Sequence, residues 1–153
     1  MVTYDKRLDF FITIHSLAHL NFSAVLGETS QAEFFVMMAV NKTEQLNSSS
    51  CCGISGIADT LHVSSPAVSR TITTLEKKGW VERRLDKFNR RSTVVRLTEN
   101  GCAVFDGECR RISNFMNNVV KRMGEDKLNE LLALSGELID NVQKEIKKFD
   151  ESL

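Results

Sequence analysis

Three sets of residues have types and spacings that could do chemistry. His15 and His19 stand one helical turn apart, a spacing at which two imidazoles can face one ligand or one metal. Cys51 and Cys52 adjoin in a serine-rich stretch, where an exposed thiolate would be open to oxidation. The third set is cationic. From His62 to Asn100 there are nine Lys/Arg against four acids, a local net of +5, whereas Gly124 to the end carries four Lys against eight acids, a net of −4. The whole chain is neutral, so the charge is segregated rather than absent. A basic middle segment is what a polyanion-binding face requires.

The first two sets support only the blander chemistry. No third metal ligand has a convincing spacing to the histidine pair, so the pair is expected to be buried or at an interface, or to line a ligand pocket, rather than to hold a metal. No Lys or Arg adjoins Cys51 or Cys52 to depress a thiol pKa, so ordinary thiols are expected there. Cys102 and Cys109 are two helical turns apart, about 10.5 Å along an axis, too far for a disulfide within one helix; they read as core residues. There is no Gly-rich phosphate loop, nucleophile elbow or paired-acid motif. The expectation is a protein without catalysis and without a cofactor.

The elements that must position the cationic set can be read from periodicity. Tyr4 to Asn21 is helical in pattern, with Leu8, Phe11, Ile12, His15, His19 and Phe22 on one face and Phe10, Ile14 and Leu17 nearly opposite. A helix apolar on two faces needs two covers, one of which can be a second subunit. Ser30 with Glu33 forms a capping box before a helix that is apolar all round (Phe34, Phe35, Val36, Met37, Met38, Val40), so a buried central element is expected. Gly53 to Leu61 is a short helix and His62-Val63-Ser64 a tight connection. Ser65 before Pro66 is an N-cap with proline at the first helical position, and the helix buries Val68, Ile72 and Leu75 before stopping near Gly79. Two strand-like runs, Trp80 to Leu85 and Thr93 to Leu97, flank a polar basic hairpin tip. Thr98 or Asn100 caps a long helix with the stripe Cys102, Phe105, Cys109, Ile112, Met116, Val119 and Met123. Gly124 breaks it, and a leucine-rich last helix follows.

Helix, tight turn, capped helix, strand, basic hairpin and strand make a helix-turn-helix with a wing. A helix enters the major groove if one face packs on its domain and the other is polar. Arg70, Thr73, Thr74 and Lys77 point away from the buried stripe. Ser64, Ser65, Ala67 and Ser69 crowd the N-terminal end, where hydroxyls and amides can meet phosphates and base edges. Lys87, Arg90 and Arg91 at the hairpin tip suit a narrow minor groove.

These stretches carry a resemblance. Ile57-Ala58-Asp59-Thr60-Leu61-His62-Val63-Ser64, then Ala67-Val68-Ser69-Arg70, then Leu75-Glu76-Lys77-Lys78-Gly79-Trp80-Val81 resemble the reader domain of the MarR (multiple antibiotic resistance regulator) family. Arg90-Arg91 and Arg96-Leu97-Thr98-Glu99-Asn100-Gly101 are similar to its wing and the exit into the next helix. Asn89 stands where the family commonly has an acid, and His62 where it often has glycine, a position histidine tolerates in the left-handed conformation. The resemblance implies a dimer built from N- and C-terminal helices, with two winged lobes on a pseudo-palindromic operator. Many members are repressors released by a small ligand or by thiol oxidation.

The expected fold is thus mainly α (α+β), a winged helix-turn-helix with N- and C-terminal dimerisation helices. Residues 1–28 and 101–153 would form the helical dimerisation region and 29–100 the DNA-binding domain. His15 and His19 would line an effector pocket between the two. The expected partners are double-stranded DNA, a second copy and a small-molecule effector, with no membrane: the longest apolar run, Phe34 to Val40, is far too short to cross one, and a cytoplasmic protein follows. The competing readings are a winged-helix module for protein–protein assembly, which would not need the cationic hairpin, and a thiol- or metal-sensing regulator of the same fold.

Overall fold

The structure, a computed structural model, describes residues 5–45, 53–85 and 93–152. Along the chain run α1 (Lys6–Ala18), α2 (Gln31–Gln45), α3 (Ile54–Leu61), α4 (Ser65–Lys77), β1 (Val81–Leu85), β2 (Thr93–Leu97), α5 (Glu99–Met123) and α6 (Glu125–Asp150). The fold is the expected one, mostly helical, with one antiparallel two-stranded sheet among the described residues. The chain divides into two compact units, Met1–Ile112 and Ser113–Leu153.

The core of the first unit is built from α2, α3, α4, the hairpin and the first turns of α5. Met37, Val40, Ile57, Val68, Ile72, Leu75 and Val95 are almost completely buried, and Phe34 stacks on Phe105 with ring centroids 5.7 Å apart. Each such side chain contributes about 1.5–3 kcal/mol through removal from water, which is why these short elements hold together.

Local chemistry sets the boundaries. The capping box forms: the Ser30 amide donates to the Glu33 carboxylate at 2.7 Å and the Glu33 amide to Ser30 Oγ at 3.3 Å. α3 ends on His62 at φ 53°, ψ 42°, the left-handed conformation that the short connection to α4 requires. α4 ends in a Schellman motif. The Trp80 amide donates to the Leu75 carbonyl and the Gly79 amide to the Glu76 carbonyl, with Gly79 at φ 70°. β1 pairs with β2 from Val81↔Leu97 to Leu85↔Thr93. Thr98 is the cap of α5: its Oγ accepts from the Gly101 amide at 3.0 Å and donates to the Gly79 carbonyl at 2.7 Å. Gly101 must be glycine for space, since a Cβ there would lie 1.8 Å from the Trp80 carbonyl oxygen.

Several expectations are corrected. α1 is Lys6–Ala18, shorter than the apolar pattern, because periodicity does not locate helix ends. The N-cap of α4 is Ser64, without a side-chain cap bond, and Pro66 falls one residue further in than the first helical position. Thr98, not Asn100, caps α5. α2 is not buried all round: Phe35 and Met38 are each 38% exposed, because α3 and α4 cover only part of its circumference. Cys102 is exposed and Cys109 half-buried, so neither thiol belongs to the deep core.

The second unit holds the end of α5 and all of α6. Gly124, at φ 92°, separates the two helices. α6 has no buried residue. Leu132, Leu134, Ile139 and Ile146 are all more than half exposed, and Phe149 is 73% exposed. α1, in the first unit, likewise buries none of its residues. No described helix is long and apolar enough to cross a membrane.

Candidate nucleic-acid interface

α4 presents two chemically opposite faces. Val68, Ile72 and Leu75 are buried in the core. Arg70, Thr73, Thr74 and Lys77, at i, i+3, i+4 and i+7, are exposed on the other side. Ser64 and Ser65 are exposed at the N-terminal end, while Ala67 and Ser69 are half-buried. Neither Arg70 nor Lys77 forms an ion pair with any described residue. Thr73 Oγ donates back to the Ser69 carbonyl at 2.9 Å and Thr74 Oγ to the Arg70 carbonyl at 3.2 Å. Each threonine proton is thus used within the helix, leaving the hydroxyl oxygen as an acceptor. The first turn of α4 carries no acid, so the positive end of the helix dipole is not cancelled there. This is a groove-sized helix with two uncommitted cations and short polar side chains.

The C-terminal end of α4 is held by a contact that pattern reading does not reach. Lys78 Nζ lies 2.7 Å from Glu33 Oε1 and 4.4 Å from the Trp80 ring centroid. Glu33 therefore both caps α2 and receives the lysine that closes α4. Burial pushes its carboxyl up, but the Lys78 and Ser30 hydrogen bonds outweigh that and hold it below its ordinary value. The capping box points to Glu33 from sequence; nothing local points to Lys78 as its partner 45 positions away.

Arg83 pairs with Glu76 at 3.5 Å and Arg84 with Glu82 at 2.6 Å, both at the surface, where such pairs are worth little. Lys87, Arg90 and Arg91, expected at the hairpin tip, lie outside the described residues, as do Asn89, Cys51 and Cys52.

His15 and His19 lie side by side on α1, their Nε2 atoms 3.0 Å apart and both rings exposed. No group of three or more His, Cys, Asp or Glu suited to a metal occurs among the described residues. An apolar groove of about 390 Å³ lies instead between α2, α3 and α4, lined among others by Phe35, Met38, Leu61, Val63, Ala67 and Thr71. Neither histidine reaches it.

Residues 30–93 match the MarR family. The fold is shared with several solved structures. BldR from Sulfolobus solfataricus, described as a transcriptional regulator, superposes with a TM-score of 0.72 at 22% identity, covering 92% of this chain and 99% of that one. A mutant of MarR from E. coli complexed with operator DNA gives 0.71 at 19% identity, over 90% of this chain and 99% of that one. The S. aureus MepR–DNA complex gives 0.65 at 16% identity, over 92% and 96%. No curated protein sequence matches the chain.

Proposed function

We propose that the protein is a DNA-binding transcription regulator, because residues 30–93 match the MarR family model and the fold is that of structures solved with DNA. It acts as a homodimer on a pseudo-palindromic operator, as a cytoplasmic repressor released by a small ligand, and has no enzymatic role. Two recognition helices enter successive major grooves roughly 34 Å apart. Ser64, Ser65, Ala67, Ser69, Arg70, Thr73, Thr74 and Lys77 form the groove-facing set, and Lys87, Arg90 and Arg91 clamp the flanking minor grooves. Residues 1–28 and 101–153 supply the dimerisation helices and 29–100 the reader. An effector that prefers one lobe arrangement shifts affinity by its differential binding to the two.

The observation that carries this reading is the two-faced α4, anchored by Val68, Ile72 and Leu75 and carrying Arg70 and Lys77 without acidic partners among the described residues. The uncovered apolar faces of α1 and α6 support the homodimer. The test is titration of duplex DNA at increasing salt. Binding should appear in dilute buffer and weaken steeply, with log K falling by about 0.9 per log unit of salt for each phosphate contacted. A chain that ignores duplex DNA at low salt would favour the protein–protein assembly module.

A further inference from the structure

Three residues of α5 are buried: Gly101, Phe105 and Glu108. They fall at i, i+4 and i+7, one face of the helix. Gly101 lies against the Trp80 carbonyl, and Phe105 stacks on Phe34 in the core. Glu108 is the last of the series; beyond it no residue of α5 is buried. The helix itself continues without a break to Met123. Glu108 is therefore the last fully buried residue of α5, with Cys109 and Ile112 packing half-buried against the core beside and just beyond it.

The holding contact is specific. Glu108 is 2% exposed, and its carboxylate accepts from three consecutive backbone amides of the loop between α1 and α2. Gly27 donates at 2.9 and 3.1 Å to the two oxygens, Glu28 at 2.7 Å and Thr29 at 3.2 Å. Successive amides converging on one anion make a nest, here filled by the protein's own side chain. Arg111, one turn on, lies over Gly27 so closely that a Cβ there would sit 2.8 Å from its guanidinium. Burial pushes the Glu108 carboxyl up, but the three amides and Arg111 more than offset that and keep it low. One ionised side chain thus ties the segment leading into α2 to a docked turn of α5.

We propose that Glu108 is a positioning residue for operator binding: by clamping loop 27–29 to α5 it fixes the line along which the helix leaves the reader, and with it the separation of two readers in a dimer. This rests on the regulator reading above. A rigid reader with a loosened exit still meets phosphates with one lobe, but the two lobes no longer hold the operator spacing. The clamp therefore acts on specific binding more than on random binding.

The experiment compares wild type with Glu108→Gln, which keeps the shape but turns an amide NH2 toward amide donors, and Glu108→Asp, which keeps the charge but is one methylene short. The probes are a duplex selected from a random pool by the wild-type protein and an unselected duplex at low salt. Circular dichroism and sedimentation accompany both. Glu108→Gln is expected to lose at least tenfold in affinity for the selected duplex while staying within about twofold on the unselected one, still folded and dimeric. Glu108→Asp should fall between. Hydrogen exchange at the amides of residues 27–29 should accelerate in both variants. Equal loss on both duplexes, or no loss despite faster exchange at 27–29, overturns the clamp. If Glu108→Gln does not fold, Glu108→Asp decides by the same two ratios. Wild type that selects no duplex refutes the regulator reading instead, and with it the clamp's role in operator binding.

Discussion

The reader and the terminal helices solve the burial problem in different ways. From α2 to β2 most of the apolar stripe is covered within the chain: Met37, Val40, Ile57 and Ile72 are sealed, although Phe35 and Met38 stay open. In α1 and α6 no residue is buried, and Phe11, Leu132 and Phe149 stand more than 60% exposed. Both regions have periodic apolar faces, yet only one finds its cover internally. An exposed stripe of this length is costly in water unless a second surface meets it. The difference teaches that the segment from α2 to β2 builds its own core while α1 and α6 leave their apolar faces uncovered by the chain itself.

The largest effect that could break this contrast lies in the reader. Ile72→Ala should cost about 2–5 kcal/mol by leaving a cavity under α4; chemical denaturation followed by circular dichroism would measure it. A loss under 1 kcal/mol would mean that the reader core is not closed. In α6 the expected outcome is of another kind. Ile139→Asp, at a position 56% exposed, should leave helix content nearly intact but weaken self-association by roughly a hundredfold, about 2.7 kcal/mol, in sedimentation equilibrium. An unchanged assembly would show that this face is not the dimer contact.

A smaller effect separates binding from folding. Arg70→Ala should weaken duplex binding by about 1–3 kcal/mol without moving the unfolding midpoint, since Arg70 is exposed; electrophoretic titration beside a thermal melt reads both. Smallest is the acid response of Glu33. Its folded carboxyl sits below its ordinary value, so the stability it contributes is fully present above that value and is lost as pH falls through the lowered one. Glu33→Gln should cost about 1 kcal/mol at neutral pH, and the gap between variant and wild type should close below roughly pH 4. A gap constant down to pH 3 would remove the Lys78 contact from the account.

The reader was legible because its signals are local. Ser30 with Glu33, Gly79 after a stripe at 3.6-residue spacing, and β-branched runs around a polar turn each specify backbone geometry within a few residues, and the structure repeats them nearly residue for residue. The left-handed His62 shows the same, a histidine accepting a conformation that is cheapest for glycine. The apolar stripe of α5 is partly legible: Phe105 is buried and Cys109 and Ile112 pack on the core, but Cys102 is exposed, and the fully buried face also runs through Gly101 and Glu108, which apolar counting passes over. A carboxylate counts as surface in any pattern; only three amides arriving from loop 27–29 make it interior.

By itself, then, the sequence determined the elements, their order, the two faces of α4 and the cationic bias around it, since these follow from spacing and side-chain chemistry along a single segment. Only the tertiary structure decided that Glu33 meets Lys78, that Glu108 fills a nest of amides, and that Phe35 and Met38 stay open while Met37 is sealed. Those outcomes depend on which distant segments arrive at a residue. A polar group becomes stable inside the protein only when such an arrival supplies its hydrogen bonds.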